Sequence, residues 1–140
     1  MRIKFSIRSL LLYAIPVAIA SSVIALAVRE KQRTRNEDEQ FAVAFLVCDY
    51  LDANQKQWPP NWNALKPFHD TRFPDENFTD LQNHVFLDFT VDTTNLLETC
   101  VNTQLASEFK PIRSKVWDNE SFEENPNSII LRHLGRVIMY

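Results

Sequence analysis

Hydrophobic and polar positions divide the chain into stretches of different period. Ser9–Val28, "SLLLYAIPVAIASSVIALAV", is uncharged throughout. A bilayer core needs about 20 apolar residues in a helix. Residues 29–40, "REKQRTRNEDEQ", are polar or charged and are mostly good helix formers. Apolar positions then return at helical spacing: Phe41, Ala44, Phe45, Cys48 and Leu51 form one stripe, widened by Val43, Val47 and Tyr50. No Pro or Gly interrupts Val17–Trp58, so the pattern predicts either one long helix or two helices with a break at Thr34–Asn36.

"QKQWPPNWNALKPF", residues 55–68, ends that pattern. Pro59 and Pro60 lack the helical N–H, and Pro59 restrains Trp58 to extended backbone. Asn61 is a fair N-cap for one or two turns, which Pro67 should stop. Trp62 and Leu65, at i,i+3, can fold back on the first stripe while Trp58 covers the joint. Trp58 and Trp62 are accordingly expected in a packed corner, and an aromatic binding clamp is the alternative.

Further on, "HVFLDFTV" alternates, predicting a strand with Val85, Leu87, Phe89 and Val91 inward. Leu97, Cys100, Val101 and Leu105 return to helical spacing, and Asn95 with Glu98 resembles a capping box. "EFKPI" suits a short edge strand, "SIILRHL" either a short helix ending at Gly135 or a strand before a turn, and "RVIMY" an extended tail. The expected fold class is α+β: an N-terminal transmembrane helix and a long helix packed on a small antiparallel sheet, a layout that a pilin would also show. The domains expected are a basic flank at 1–8, a transmembrane signal-anchor helix at 9–28, a charged juxtamembrane segment at 29–40 and a small α+β domain at 41–140.

Charge sharpens this picture. Residues 1–35 hold seven basic groups against the single acid Glu30, whereas the remainder is strongly acidic, so the net charge of −3 conceals an asymmetry. An acidic body lacks the basic face that phosphate backbones require, so no nucleic-acid partner is expected. Arg2, Lys4 and Arg8 before the uncharged run read as the basic flank of a signal-anchor. The expected location is therefore a single-pass membrane protein with its body outside the cytoplasm, in contact with the lipid bilayer and an envelope protein partner. Cleavage near Ala27, at the A-x-A-like Ala25-Leu26-Ala27, would instead release a secreted protein.

One glycine, Gly135, is too few for a phosphate-cradling loop or a nucleophile elbow. Two cysteines make no disulfide framework; Cys48 reads as buried packing, with a Cys48–Cys100 bridge as the alternative in an oxidising compartment. His69, His84 and His133 are dispersed and no metal-binding spacing occurs, so neither a metal, a cofactor nor a catalytic residue is expected. Asp49 and Asp52 share a helix face that solvent should bathe. Asn77-Phe78-Thr79 and Asn119-Glu120-Ser121 match the short glycosylation pattern.

"KFSIRSLLL" followed later by "YLDANQKQWPPNWNAL" resembles small membrane-anchored proteins of planctomycete-type bacteria, and more remotely the pseudopilins and type IV pilins. The resemblance implies a membrane helix continuing into a globular head. It departs from the pilin leader, because Lys4 stands before Phe5 and Arg8 and Ser9 occupy the region where that leader carries Glu. The function expected from all of this is a membrane-anchored, non-enzymatic interaction domain, with a pseudopilin-like assembly subunit as the alternative.

Overall fold

The computed structural model describes residues 7–92, 108–115 and 125–138. The elements run α1 (Ile7–Ala53), α2 (Trp62–Arg72), α3 (Phe78–His84), β1 (Val85–Leu87), β2 (Ile112–Ser114) and α4 (Pro126–Ile138). The chain divides into two compact units, residues 1–35 and 36–140.

In the first unit α1 leaves Val17, Ile19, Val23, Ile24, Leu26 and Val28 exposed. Ser21 and Ser22 turn their hydroxyls onto the carbonyls of Val17 and Ala18, both at 2.8 Å, and so satisfy themselves within the helix. Among the described residues no helix is long and apolar enough to cross a membrane. This overturns the transmembrane signal-anchor at 9–28 and the single-pass membrane location. The described part of the uncharged run of α1 ends at Val28. Arg29, Glu30, Lys31 and Arg33 follow within the same helix.

The second unit corrects the fold class. Among the described residues it is mostly helical, and the sheet expected to support a long helix is two strands of three residues each. Helix α1 is continuous through Thr34–Asn36, and its last turns supply much of the core: Val43, Ala44, Leu46, Val47 and Leu51 are wholly buried, and Cys48 nearly so. Most of the wide stripe is buried, but Phe41 and Tyr50 are half-buried and Phe45 stays partly exposed beneath the Arg72 guanidinium, 4.9 Å from the ring centroid. The helix ends at Ala53, before the prolines. Gln55 and Lys56 take left-handed backbone, φ 53° and 64°, and Lys56 N–H donates to the Leu51 carbonyl at 2.8 Å.

Helix α2 begins where its cap predicts, Asn61 Oδ1 accepting from Ala64 N–H at 3.2 Å. It does not stop at Pro67. The proline deprives only the Asn63 carbonyl of its helical donor, and Asn63 is exposed to water. Leu65 and His69, one turn apart and buried, hold the helix together across the proline.

The alternating stretch yields a shorter strand than expected. Val85 and Leu87 are buried and Phe86 faces out, but pairing ends there because the Asp88 carboxylate accepts from Thr90 N–H at 2.9 Å and Thr90 Oγ1 at 2.7 Å, closing a turn. Phe89 and Val91 are only half-buried. β1 pairs antiparallel with β2, Val85 opposite Ser114 and Leu87 opposite Ile112. Outside the sheet Phe86 faces its partner Arg113, whose guanidinium lies 4.6 Å from the ring centroid.

Helix α4 starts at an Asn-Pro pair: Asn125 Oδ1 accepts from Asn127 N–H at 2.9 Å, and Pro126 occupies the first helical position, where no donor is needed. It runs past Gly135, so "RVI" is helical rather than extended. One helical glycine costs about 1 kcal/mol, which burial of Ile130 and Leu134 outweighs. The expected helix at residues 95–105, with Cys100, lies outside the described residues, as does Asn119-Glu120-Ser121.

Candidate functional site

Among the described residues of the second unit, most polar side chains fall into two kinds: those that bind elements together, and those that line a cavity.

The first kind is satisfied. Trp58, 9% exposed, donates its indole N–H to the Asp88 carbonyl at 2.8 Å and meets Phe109 edge-on at 6.3 Å. Trp62 is half-buried, edge-on to Phe78 at 6.0 Å and to Phe89 at 5.8 Å. His84 Nδ1 lies 2.9 Å from Glu39 Oε2, and His133 Nε2 lies 2.9 Å from Asp52 Oδ1, which Lys56 also approaches. Arg72 grips both oxygens of Asp49, at 2.7 and 2.5 Å. Asp49 and Asp52 thus face solvent but each binds another element. Buried Asn127 accepts from Ile112 N–H at 2.8 Å and donates to the Ile112 carbonyl at 3.0 Å, as a neighbouring strand would.

The second kind surrounds a cavity of about 410 Å³ between α2 and α3. Asn63, Lys66, His69 and Asp70 line it from α2, and Phe78, Thr79 and Gln82 from α3. Glu76 and the α3 cap Asn77 complete it from the connecting loop. Helical spacing gives α2 its contribution: Asn63, Lys66 and Asp70 succeed one another at i,i+3 and i,i+4. His69 is the buried member, 2% exposed, with the rings of Phe78 and Phe73 at 5.0 and 6.1 Å. Its Nδ1 lies 3.4 Å from Asp70 Oδ1, and its Nε2 has no hydrogen-bond partner. Lys66 Nζ pairs with Asp70 Oδ2 at 3.3 Å. The His69 hydrogen bond, joined by Lys66, holds the Asp70 carboxyl below the usual carboxylate range.

Among the described residues Gln40 is the other buried polar group left short, wholly buried with neither amide atom partnered, but it does not line the cavity. Cys48 is a free thiol; burial, reinforced by Asp49 and Asp52, pushes it up to about 12. Among the described residues no cluster of three His, Cys, Asp or Glu could hold a metal.

The sequence reading missed the cavity. His69 counted there as an isolated histidine, yet its position four residues after Leu65 already placed it on the buried stripe of α2. Asn77 drew notice for glycosylation, whereas in the fold its Oδ1 accepts from Thr79 N–H at 3.0 Å and starts α3.

No family model matches this chain, and neither a curated protein nor a solved structure shows significant similarity to it.

Three carboxyls carry an acid-stability prediction. Burial would raise Asp52, but the hydrogen bonds from Lys56 and His133 outweigh it and hold it low; Thr90 holds Asp88 low, and Asp70 is low as above. A folded-state value below the unfolded value of 3.8 stabilises the fold above that pH, and the benefit is lost as pH falls through the folded value. The melting temperature should therefore be insensitive to these groups near neutrality and decline below about pH 4. Asp88→Asn with Asp52→Asn should flatten the decline, measured by melting at stepped pH; an unaltered acid slope would show that other groups govern it.

Proposed function

We propose that residues 36–140 form a non-enzymatic binding module that uses the α2–α3 cavity for recognition. The observation that carries this reading is His69: a buried imidazole in the cavity wall whose Nε2 lacks a partner. Such a deficit costs about 1–3 kcal/mol, and its place in a polar cavity is what a recognition site requires. The chemistry of the neighbouring groups favours binding over catalysis. Asp70 is held low and paired with Lys66, which makes it a weak base at neutral pH. Cys48, which does not line the cavity, is buried and held protonated and is a poor nucleophile.

Thermal unfolding of the full chain with a panel of small polar compounds (inorganic phosphate, putrescine, glucose, N-acetylglucosamine) tests this. At least one should raise the melting temperature, and Asn63→Ala, an exposed change in the cavity wall, should remove that rise while leaving the unliganded melt unchanged. A panel without effect on the wild-type chain would remove the support for a recognition site here.

A further inference from the structure

The α2–α3 cavity also indicates what kind of molecule it suits. We propose that it binds a neutral polyhydroxylated ligand of the sugar class; this rests on the binding reading above and narrows it.

Charge is the first argument. An anion or cation site needs a local field of one sign. Lys66 and Asp70 form an ion pair at 3.3 Å, so the one ammonium in the wall is already matched. Glu76 is then the remaining charge of the wall, and it is exposed, where water screens it. That is a poor field for phosphate, which a carboxylate repels, and a weak one for an amine.

Hydrogen-bonding capacity is the second. A hydroxyl both donates and accepts, so a polyol is best met by groups offering both. The amides of Asn63, Asn77 and Gln82 and the hydroxyl of Thr79 do so from both sides of the cavity. Asn77 has its Oδ1 committed to Thr79 N–H, while its Nδ2 has only a long 3.5 Å approach to Asp80 Oδ1, leaving capacity to donate. Glu76 adds an acceptor. Four neutral polar groups around one carboxylate and one internal ion pair make a wall for hydroxyls rather than for ions.

The third is the half-buried Phe78 ring, an apolar surface of the kind on which the C–H face of a sugar ring packs. The volume, about 410 Å³, falls within the range of small-ligand sites. His69 supplies the fourth observation, a buried ring nitrogen in the wall still short of a hydrogen bond.

The test is a titration of the isotope-labelled full chain followed by NMR, with methyl glucoside and N-acetylglucosamine in one arm and inorganic phosphate and methylammonium in the other. The expected result is saturable movement of the side-chain amide signals of Asn63, Asn77 and Gln82 and of the His69 ring signals with a sugar. Gln82→Ala and Asn63→Ala should each weaken it at least tenfold. His69→Phe keeps a ring in place and removes the unpartnered Nε2 together with the long 3.4 Å approach of Nδ1 to exposed Asp70; it should stay folded at the titration temperature, checked by its own melt, and bind sugar more weakly, so lost binding cannot be ascribed to lost folding. Saturable binding of a charged probe at these residues without the sugars would overturn the ligand class and leave the binding reading standing. Sugar-induced shifts confined to other residues, or unchanged affinity in both alanine variants, would overturn the site. Silence in both arms would sink this inference and the binding reading together.

Discussion

Trp58→Ala should lower the stability of the second unit by about 3–5 kcal/mol, the usual cost of truncating a large buried aromatic. A domain of this size has only about 5–15 kcal/mol in total, so most of its folded margin is at stake. Two losses combine. The indole leaves a void beside Phe109, and the Asp88 carbonyl loses a 2.8 Å donor at the point where the chain leaves β1. Trp58→Phe separates them, since it keeps most of the packing and removes only the N–H; its deficit should be the smaller by at least half. Denaturant unfolding of the full chain, followed by circular dichroism, reads both. An alanine variant with an unchanged midpoint would mean that Trp58 does not hold this joint.

The second large effect is expected at Asn127. Its side chain meets both backbone groups of Ile112, a residue with no exposed surface. Asn127→Ala leaves a buried N–H and a buried C=O unmet, at about 1–3 kcal/mol for each. Asn127→Asp is the sharper probe. It retains an acceptor for Ile112 N–H but sets a carboxylate against the Ile112 carbonyl, and a buried unpaired charge costs more than a missing amide. The expected order of stability is wild type, then alanine, then aspartate. Hydrogen exchange at the Ile112 amide should accelerate with it. Retained protection in the alanine variant would show that another group holds this edge.

How far the chain could be read in advance depended on how local each determinant is. The apolar stripe of residues 41–51, the Asn61 cap and the inward positions Val85 and Leu87 follow from periodicity and capping, which need only neighbours in sequence. Pro67 and Gly135 misled because their local cost is outweighed by contacts from afar: Leu65 and His69 hold α2, and Ile130 and Leu134 hold α4. The strand was overestimated because alternation cannot reveal that Asp88 would turn back on Thr90. The Asn125-Pro126 start of α4 is a local signal, an Asx cap followed by a first-turn proline. The cavity was not legible in the same way, since Asn63 and Gln82 become neighbours only once α2 and α3 have packed. The membrane expectation rests on twenty uncharged residues, whereas among the described residues no helix is long and apolar enough to cross a bilayer.

The clamp on Ile112 bears on how the molecule behaves among its own copies. A two-stranded sheet leaves each strand with an outer edge, and an open edge is a template on which another chain can add a strand. Here the outer side of β2 is met at Ile112 by an amide side chain that imitates a third strand, while on the same strand Arg113 carries a positive charge outward beside Phe86. Helix α4 thereby closes the outer edge of β2 at Ile112. A chain that lost this closure would be exposed to self-association through β2 before it was exposed to global unfolding, so turbidity at elevated concentration would register the damage sooner than a melting curve.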